Sequence, residues 1–466
     1  MTHNSPENPL LAAWQETLAR CGGAPAVFAV DGRIERRFFD IESEAGEFSA
    51  RLADIAAGSV VGVQLGNRPS WPALLVALFR GGLIPLPLGG HMSVVELRLA
   101  LETCGASALI AEEAGVLRVT RFASVGSQLT APADFLKLTS GTTSAPRAIR
   151  FRAAQLVADC ENICATMGIT ADDLNFGAIP ISHSYGFSNL LTPLLCRGVP
   201  LVATEERLPR AIMDGLARTG ATVFPGTPVL FQNLAELTDI PELPKLRLCI
   251  SAGAPLTGAV AGRFAEKFSR KIHIFYGSSE CGGIAYDTSL GTLPEEGFVG
   301  NALRGVSIRR PYVGERTPIE VRSAAVGDGY FPDDDPEVLG GGRFVPGDLA
   351  RFTPRGLVLV GRASDVINIA GRKLNPLEVE QRLLACPGVT QAVVFGVPSR
   401  LRGEEAVAYV AGEGIDATSV LAYCQRELSA WQIPRDVCIV PEIPANERGK
   451  ISRRALAEEY LKTRTP

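Results

Sequence analysis

Short apolar runs alternate along most of the chain with stretches whose apolar positions recur at helical spacing. Ser59 to Leu65, Leu83 to Leu86, Ser107 to Ala111, Ala221 to Phe224 and Leu246 to Ile250 are apolar runs and predict buried strands. Leu10 to Arg20, Val94 to Thr103, Ala154 to Met167 and Thr257 to Phe268 carry the period of an amphipathic helix. Strands interleaved with helices in this way imply parallel strands joined by crossover helices, an α/β fold.

From Gly300 the texture changes to Gly/Pro-punctuated segments, such as Ile319 to Arg322 and Leu357 to Val360, which predict a small β unit closing the large domain. A further shift comes after Arg362. Asn375 to Cys386 and Ser419 to Leu428 predict helices, and Val389 to Val397 and Ala406 to Val410 predict strands, together a compact α+β unit. The expected division is therefore a large N-terminal domain over 1–363, with parallel-rich sheets and flanking helices, and a small C-terminal domain over 364–466.

Composition narrows the function. The 466 residues exceed what one core usually supports, and 46% hydrophobic with 21% charged residues is ordinary for a globular chain. The formal charge is −4 and no Lys/Arg run forms a stripe, so nucleic acid is not an expected partner. The most apolar stretch, Trp71 to Gly89, is interrupted by Arg80 and by Pro72, Pro85 and Pro87, so no membrane span is expected. Met1 to Pro9 lacks the basic-then-apolar order of a signal peptide, which makes a cytoplasmic location the expectation. Ten cysteines without a C-x-x-C pair and four scattered histidines give no metal-ligand spacing.

Four segments carry candidate chemistry. Thr139-Ser140-Gly141-Thr142-Thr143-Ser144-Ala145-Pro146-Arg147 comes after the apolar Phe135 to Leu138. Small hydroxylated residues around a glycine allow backbone N–H groups to approach phosphate oxygens, and Arg147 adds positive charge. Phe275-Tyr276-Gly277-Ser278-Ser279-Glu280 puts an aromatic, a hydroxyl and a carboxylate in one expected loop after Lys271 to Ile274. An aromatic face can stack on a purine, and a carboxylate can hold magnesium. Gly347-Asp348 with Gly361-Arg362 is the third segment, and Pro444 to Lys450 the fourth.

In their order and spacing the four resemble the adenylate-forming superfamily of acyl- and aryl-CoA synthetases, nonribosomal peptide synthetase adenylation domains and firefly luciferase. The resemblance runs over nearly the whole chain. It implies that ATP is bound by Thr139, Ser140, Gly141, Thr142, Thr143 and Arg147 as a phosphate loop. Gly253, Ala254 and Pro255 would lie along adenine, with Tyr276 stacked on its other face and Gly277 beside it as a further ATP-binding residue. It further implies Glu280 as the Mg2+ ligand, Ser279 on the α-phosphate, and Asp348 with Arg362 on the ribose. Lys450 would bridge the substrate carboxylate and the α-phosphate, so Lys450, Glu280 and Thr142 are the catalytic candidates. A long stem carrying a point charge suits that task.

The resemblance also implies a mobile C-terminal domain that turns about Ser364 and brings Gly371 beside an incoming thiol of coenzyme A or of a carrier protein's phosphopantetheine arm. The sequence departs from the family pattern at Ser144, Arg147, Ile274, Ser364 and Asn368. Pro180 to Gly186 resembles the segment bordering the acyl pocket and thiol tunnel, which makes His183, Tyr185 and, opposite them, Gly282 the expected lining. Amino-acid-activating members carry an aspartate where this chain has Ser184, so an aryl or fatty-type acid is expected and a free amino acid is not. The implied reaction is acyl-adenylate formation with release of pyrophosphate, then transfer to the thiol. The alternatives are an adenylate-forming enzyme with a non-thiol second step, such as a β-lactone synthetase, and a non-catalytic nucleotide-binding homologue.

Overall fold

The computed structural model describes residues 8–113, 115–122, 129, 131–139, 146–309, 317–399, 401–444 and 451–464. The chain divides into two compact units. One comprises Met1–Arg309, Glu320–Pro346 and Pro354–Leu357, the other Arg310–Ile319, Gly347–Thr353 and Val358–Pro466. The boundary expected at 363/364 lies inside the second unit, because the strand Asp348–Thr353 pairs with Thr317–Pro318 and groups with the chain from Val358 onward.

In the first unit six strands run parallel in the order Pro25–Phe28, Leu201–Ala203, Asn175–Gly177, Val223–Gly226, Leu248–Ser251 and Ile272–Ser278. Helices between them begin and end where the sequence provides the chemistry. Thr257 accepts a hydrogen bond from the Val260 N–H ahead of the helix Gly258–Phe268, a cap of about 1 kcal/mol. Gly168 and Gly220 end the helices Ala153–Met167 and Pro209–Thr219 in the left-handed conformation that an L-residue avoids.

A second sheet holds Ile84–Leu88, Val60–Gln64 and Ala106–Glu113 in parallel, with Val116–Arg121 antiparallel at its far side. Pro85 and Pro87 are opposite Val61 and Val63. Lacking N–H groups, they can occupy only a strand that is paired on one side, and Ile84–Leu88 is the edge. The apolar stretch from Trp71 thus becomes a ten-residue helix, Trp71–Arg80, and this strand. Among the described residues no helix is long and apolar enough to cross a membrane.

A third, antiparallel sheet places Ala148–Phe151 between Phe135–Leu138 and Gly329–Phe331. Leu138 and Phe331 are both opposite Ala148, so both ends of the segment 139–147 emerge at the end of the sheet where Phe331 lies, next to Tyr330 in the chain.

The structure corrects one expectation in this unit. Phe275 to Ser278 is not a loop: the strand continues through Ser278, turns, and pairs antiparallel with Gly282–Tyr286. Glycines make this possible. A Cβ at Gly277 would lie 2.6 Å from the Gly282 carbonyl oxygen, and Gly282 itself has φ +68°.

The second unit is built on the long antiparallel pair Val389–Ser399 and Gly403–Gly412, with Asp436–Ile439 parallel to the latter. Side chains alternate across this sheet. Val394, Ala406, Ala408 and Val410 pack with Val379, Leu383, Val420 and Cys424 of the helices Pro376–Leu384 and Ala417–Glu427. Val393, Phe395, Val397 and Tyr409 pack with Leu456 and Tyr460 of the helix Arg453–Arg464.

Candidate active site

Ser140, Gly141, Thr142, Thr143 and Lys450 lie outside the described residues. The ends of the expected phosphate loop are described, and they are tied together. The Thr139 N–H and hydroxyl both donate to the Arg147 carbonyl, at 2.8 and 3.0 Å. Thr139 therefore closes the loop with its own hydroxyl.

Arg147 is held by what the third sheet brings to it. Its Nη2 donates to the Asp333 carbonyl at 2.7 Å, and its guanidinium lies 4.1 Å from the Tyr330 ring centroid. A planar guanidinium stacks where a lysine ammonium would not. The Tyr330 hydroxyl in turn donates to Glu280 Oε1 at 3.2 Å. Burial and the neighbouring Glu280 push the Tyr330 phenol well above its ordinary pKa, so it remains a donor. The Glu280 main chain is fixed as well, its N–H donating to Ser278 Oγ at 3.2 Å and its carbonyl accepting from the Gly327 N–H at 2.9 Å.

The parallel strands place the expected adenine segment. Ser251 is opposite Ile274, so Gly253, Ala254 and Pro255 leave one strand at its carboxyl end next to the strand that carries Tyr276 and Gly277. In open α/β sheets ligands bind at such ends. Gly253 is exposed with φ +92° and open space where a Cβ would stand, and Ser279 is half-buried. Ser251, buried between these strands, has a hydroxyl without a hydrogen-bond partner among the described residues.

His183 is half-buried just before the short helix Ser184–Gly186, which runs into a π-helical turn over Phe187–Leu191. A Cβ at Gly186 would lie 2.1 Å from the Pro180 carbonyl oxygen, so this tight passage requires glycine. Tyr185 reaches inward: its hydroxyl donates to the Ile250 carbonyl at 3.0 Å and its ring lies 5.9 Å from that of Phe275.

A Cβ at Gly282 would stand 2.0 Å from Oδ1 of the buried Asp159, so this position has no room for a side chain. Asp159 accepts the Gly283 N–H at 2.9 Å and the Ser188 hydroxyl at 2.6 Å, which joins this turn to the π-helical segment.

In the second unit Asp348 is buried at the start of its strand, and Arg362 Nε donates to its Oδ1 at 2.8 Å. Ala363 N–H donates to the Gly347 carbonyl at 2.9 Å, holding the turn that presents Asp348. Ser364 lies in a single helical turn, Ala363–Asp365, and its hydroxyl donates to Asp365 Oδ1 at 3.1 Å. Arg453 Nη1 donates to the other Asp365 oxygen at 2.7 Å, and Nη2 donates to both Glu380 oxygens at 2.9 and 3.0 Å. Gly371 has φ +83° in the hairpin between Ile367–Ile369 and Arg372–Leu374.

Among the described residues no group of three or more His, Cys, Asp or Glu side chains forms a metal cage. Magnesium keeps much of its water and uses one or two carboxylates together with phosphates. Glu280 is the carboxylate on hand. One residue of this network has no mark in the sequence: Tyr330, which sits in a Gly/Asp/Pro-rich run that reads as a turn.

Two family models match the chain: AMP-binding enzyme over residues 14–311 and AMP-binding enzyme C-terminal domain over 378–450. The chain is 30% identical over 348 residues to the probable CoA ligase CCL9 of Humulus lupulus, a match covering 69% of this chain and 65% of that protein. It is 28% identical over 449 residues to a feruloyl-CoA synthase of Amycolatopsis sp, covering 87% of this chain and 91% of the other. ATP-bound MatB from Rhodopseudomonas palustris has the same fold, with a TM-score of 0.86 at 24% identity, over 98% of this chain and 99% of that one. The anthranilate CoA ligase AuaEII in complex with anthranoyl-AMP also shares it, with a TM-score of 0.81 at 19% identity over 97% and 96%.

Proposed function

The chain belongs to the AMP-binding enzyme family, and we propose that it joins a carboxylic acid to a thiol by way of an acyl-adenylate. The observation that carries this reading is the connected run from Thr139 through Arg147 and Tyr330 to Glu280, which ties both ends of a hydroxyl-rich loop to a half-buried carboxylate. Such a run is fitted to a polyphosphate with its metal, with Glu280 holding the ion. Bound magnesium neutralises charge on the phosphate oxygens.

The acid's own carboxylate is the nucleophile at the α-phosphorus, so no activated serine or cysteine is required. Positioning and charge neutralisation supply the rate. Asp348 accepts the ribose hydroxyls, and its remaining charge is balanced by Arg362. Lys450 bridges the carboxylate and the α-phosphate. In the second step a thiol displaces AMP, and the relatives named as CoA ligase and CoA synthase favour coenzyme A as its source. An aryl or fatty-type acid is the substrate class, because Ser184 leaves no carboxylate at that place for an ammonium group.

Product analysis with ATP, magnesium and a panel of carboxylic acids tests this. AMP, pyrophosphate and an acyl-thioester in equal amounts are expected with coenzyme A. Formation of ADP, or AMP release indifferent to the acid, would contradict it.

A further inference from the structure

Lys137 stands on the strand Phe135–Leu138, immediately ahead of the loop that Thr139 closes. It shares a strand face with Phe135, whose ring lies 4.5 Å from that of Phe187. Lys137 is only 6% exposed. Its ammonium lies 4.5 Å from the Phe151 ring centroid and 5.7 Å from that of Phe187. Among the described residues nothing makes a hydrogen bond or an ion pair with its Nζ.

The aromatic faces attract a cation, but they offer no lone pair to its three N–H donors. The negative groups whose fields reach it include Asp159 and Glu280. Both are engaged elsewhere. Asp159 accepts from Gly283 and Ser188, and Glu280 accepts from Tyr330. Burial pulls the Lys137 ammonium below its ordinary pKa, with Asp159 and Glu280 opposing the shift. A buried ammonium without an acceptor is costly to keep, and an anion arriving beside it regains much of that cost.

The position is as informative as the lack of a partner. Lys137 lies between the strand entering the phosphate loop and Phe187 of the π-helical turn that comes after the expected acid segment. We propose that Lys137 receives a second anionic group on the substrate acid, so that the acid activated is a dicarboxylate. One carboxylate attacks the α-phosphorus while the other accepts from Lys137 Nζ, with Phe151 and Phe187 flanking the connecting carbon chain or ring. The assignment rests on the adenylation reading above and names the substrate class of that same site.

The test uses the full chain and acids paired by the presence of a second carboxylate: adipate with hexanoate, and terephthalate with benzoate. The KM of each acid is read from acid-dependent pyrophosphate release in the native protein, Lys137→Met and Lys137→Arg. Binding is read separately as the acid-induced shift in Tm with ATP and magnesium present. In the native protein the dicarboxylate of a pair is expected to have the lower KM. The monoacid-to-dicarboxylate KM ratio should fall about thirtyfold or more in Lys137→Met, as for truncation of one partner of a buried charge pair. Lys137→Arg should keep most of the ratio.

An unchanged ratio in a folded Lys137→Met protein would overturn the proposal and leave Lys137 as a counter-charge for Asp159. If no acid of either kind releases pyrophosphate, the adenylation reading fails, and the Tm arm still decides about Lys137. A dicarboxylate-specific shift that Lys137→Met abolishes supports the anion receptor. Equal or absent shifts in both proteins reject it.

Discussion

Tyr330 donates its hydroxyl hydrogen to Glu280 across 3.2 Å while the same ring carries the Arg147 guanidinium at 4.1 Å. One side chain thus links the basic end of the phosphate-loop segment to the carboxylate assigned to magnesium. Tyr330→Phe keeps the ring under Arg147 and removes only the donor. A hydrogen bond to a charged group contributes about 1.5 kcal/mol or more, so the magnesium dependence of pyrophosphate release should change about tenfold. Tyr330→Leu should be worse, because Arg147 loses its platform as well. Identical magnesium titrations for Tyr330→Phe and the native protein would remove the link from the chemistry.

Asp348 is buried with Arg362 as a charged partner, so the Asp348→Ala change acts twice. It removes acceptors for the ribose hydroxyls, about 1.5 to 3 kcal/mol per charged hydrogen bond, and it leaves Arg362 without that carboxylate. Calorimetric titration with ATP should show the loss directly. An unchanged affinity would take Asp348 out of the nucleotide site.

Gly282 is a structural position by its geometry. A side chain there meets the Asp159 carboxylate and strains a backbone at φ +68°. Gly282→Ala should cost about 1 to 3 kcal/mol and lower Tm by several degrees. Acid preference among the molecules that remain folded should be unaltered. Native-like Tm with altered preference would return Gly282 to the pocket wall.

The second unit contains a pH-sensitive pair. Burial raises the Glu380 pKa above its ordinary 4.5, although Arg453 pulls the other way. A carboxyl whose folded pKa is raised contributes stability that is present below 4.5 and lost as pH rises through the folded value. Arg453→Ala should raise that value further and deepen the loss, costing about 3 to 5 kcal/mol near neutrality. Thermal melts from pH 4 to pH 8 should therefore separate the variant from the native protein increasingly as pH rises. A constant gap would show that Arg453 acts through packing alone.

The helix over Val94–Thr103 is legible in the sequence because its apolar spacing and the Ser93/Glu96 capping box are both local. The parallel strands Val60–Gln64, Ile84–Leu88, Ala106–Glu113, Val223–Gly226 and Leu248–Ser251 are legible for the same reason, each overlapping a short apolar run, whereas Asn175–Gly177 and Leu201–Ala203 are too short to show one. The features that the sequence conceals depend on distant partners. Phe275 to Ser278 reads as a loop, and its strand form depends on pairing with Gly282–Tyr286, against which a side chain at Gly277 would not fit. Gly282 reads as open backbone, and the Asp159 carboxylate that a Cβ there would meet is far away in sequence. Tyr330 is surrounded by Gly, Asp and Pro, a composition that predicts loops, so its pairing with the strand beside Arg147 has no local sign. Lys137 is one charge in an apolar run, and neither periodicity nor family resemblance marks it.

The most direct test of adenylation is acid-dependent exchange of labelled pyrophosphate into ATP with no thiol present, measured for the native protein and for Lys450→Ala. Exchange requires that an acyl-adenylate forms reversibly, and it owes nothing to the second step. The native protein is expected to exchange label with at least one acid, and Lys450→Ala to do so about 100 to 1000 times more slowly, the usual loss for one preorganised electrostatic group. Nucleotide binding without exchange for any acid, or exchange at the native rate in Lys450→Ala, would contradict the mechanism.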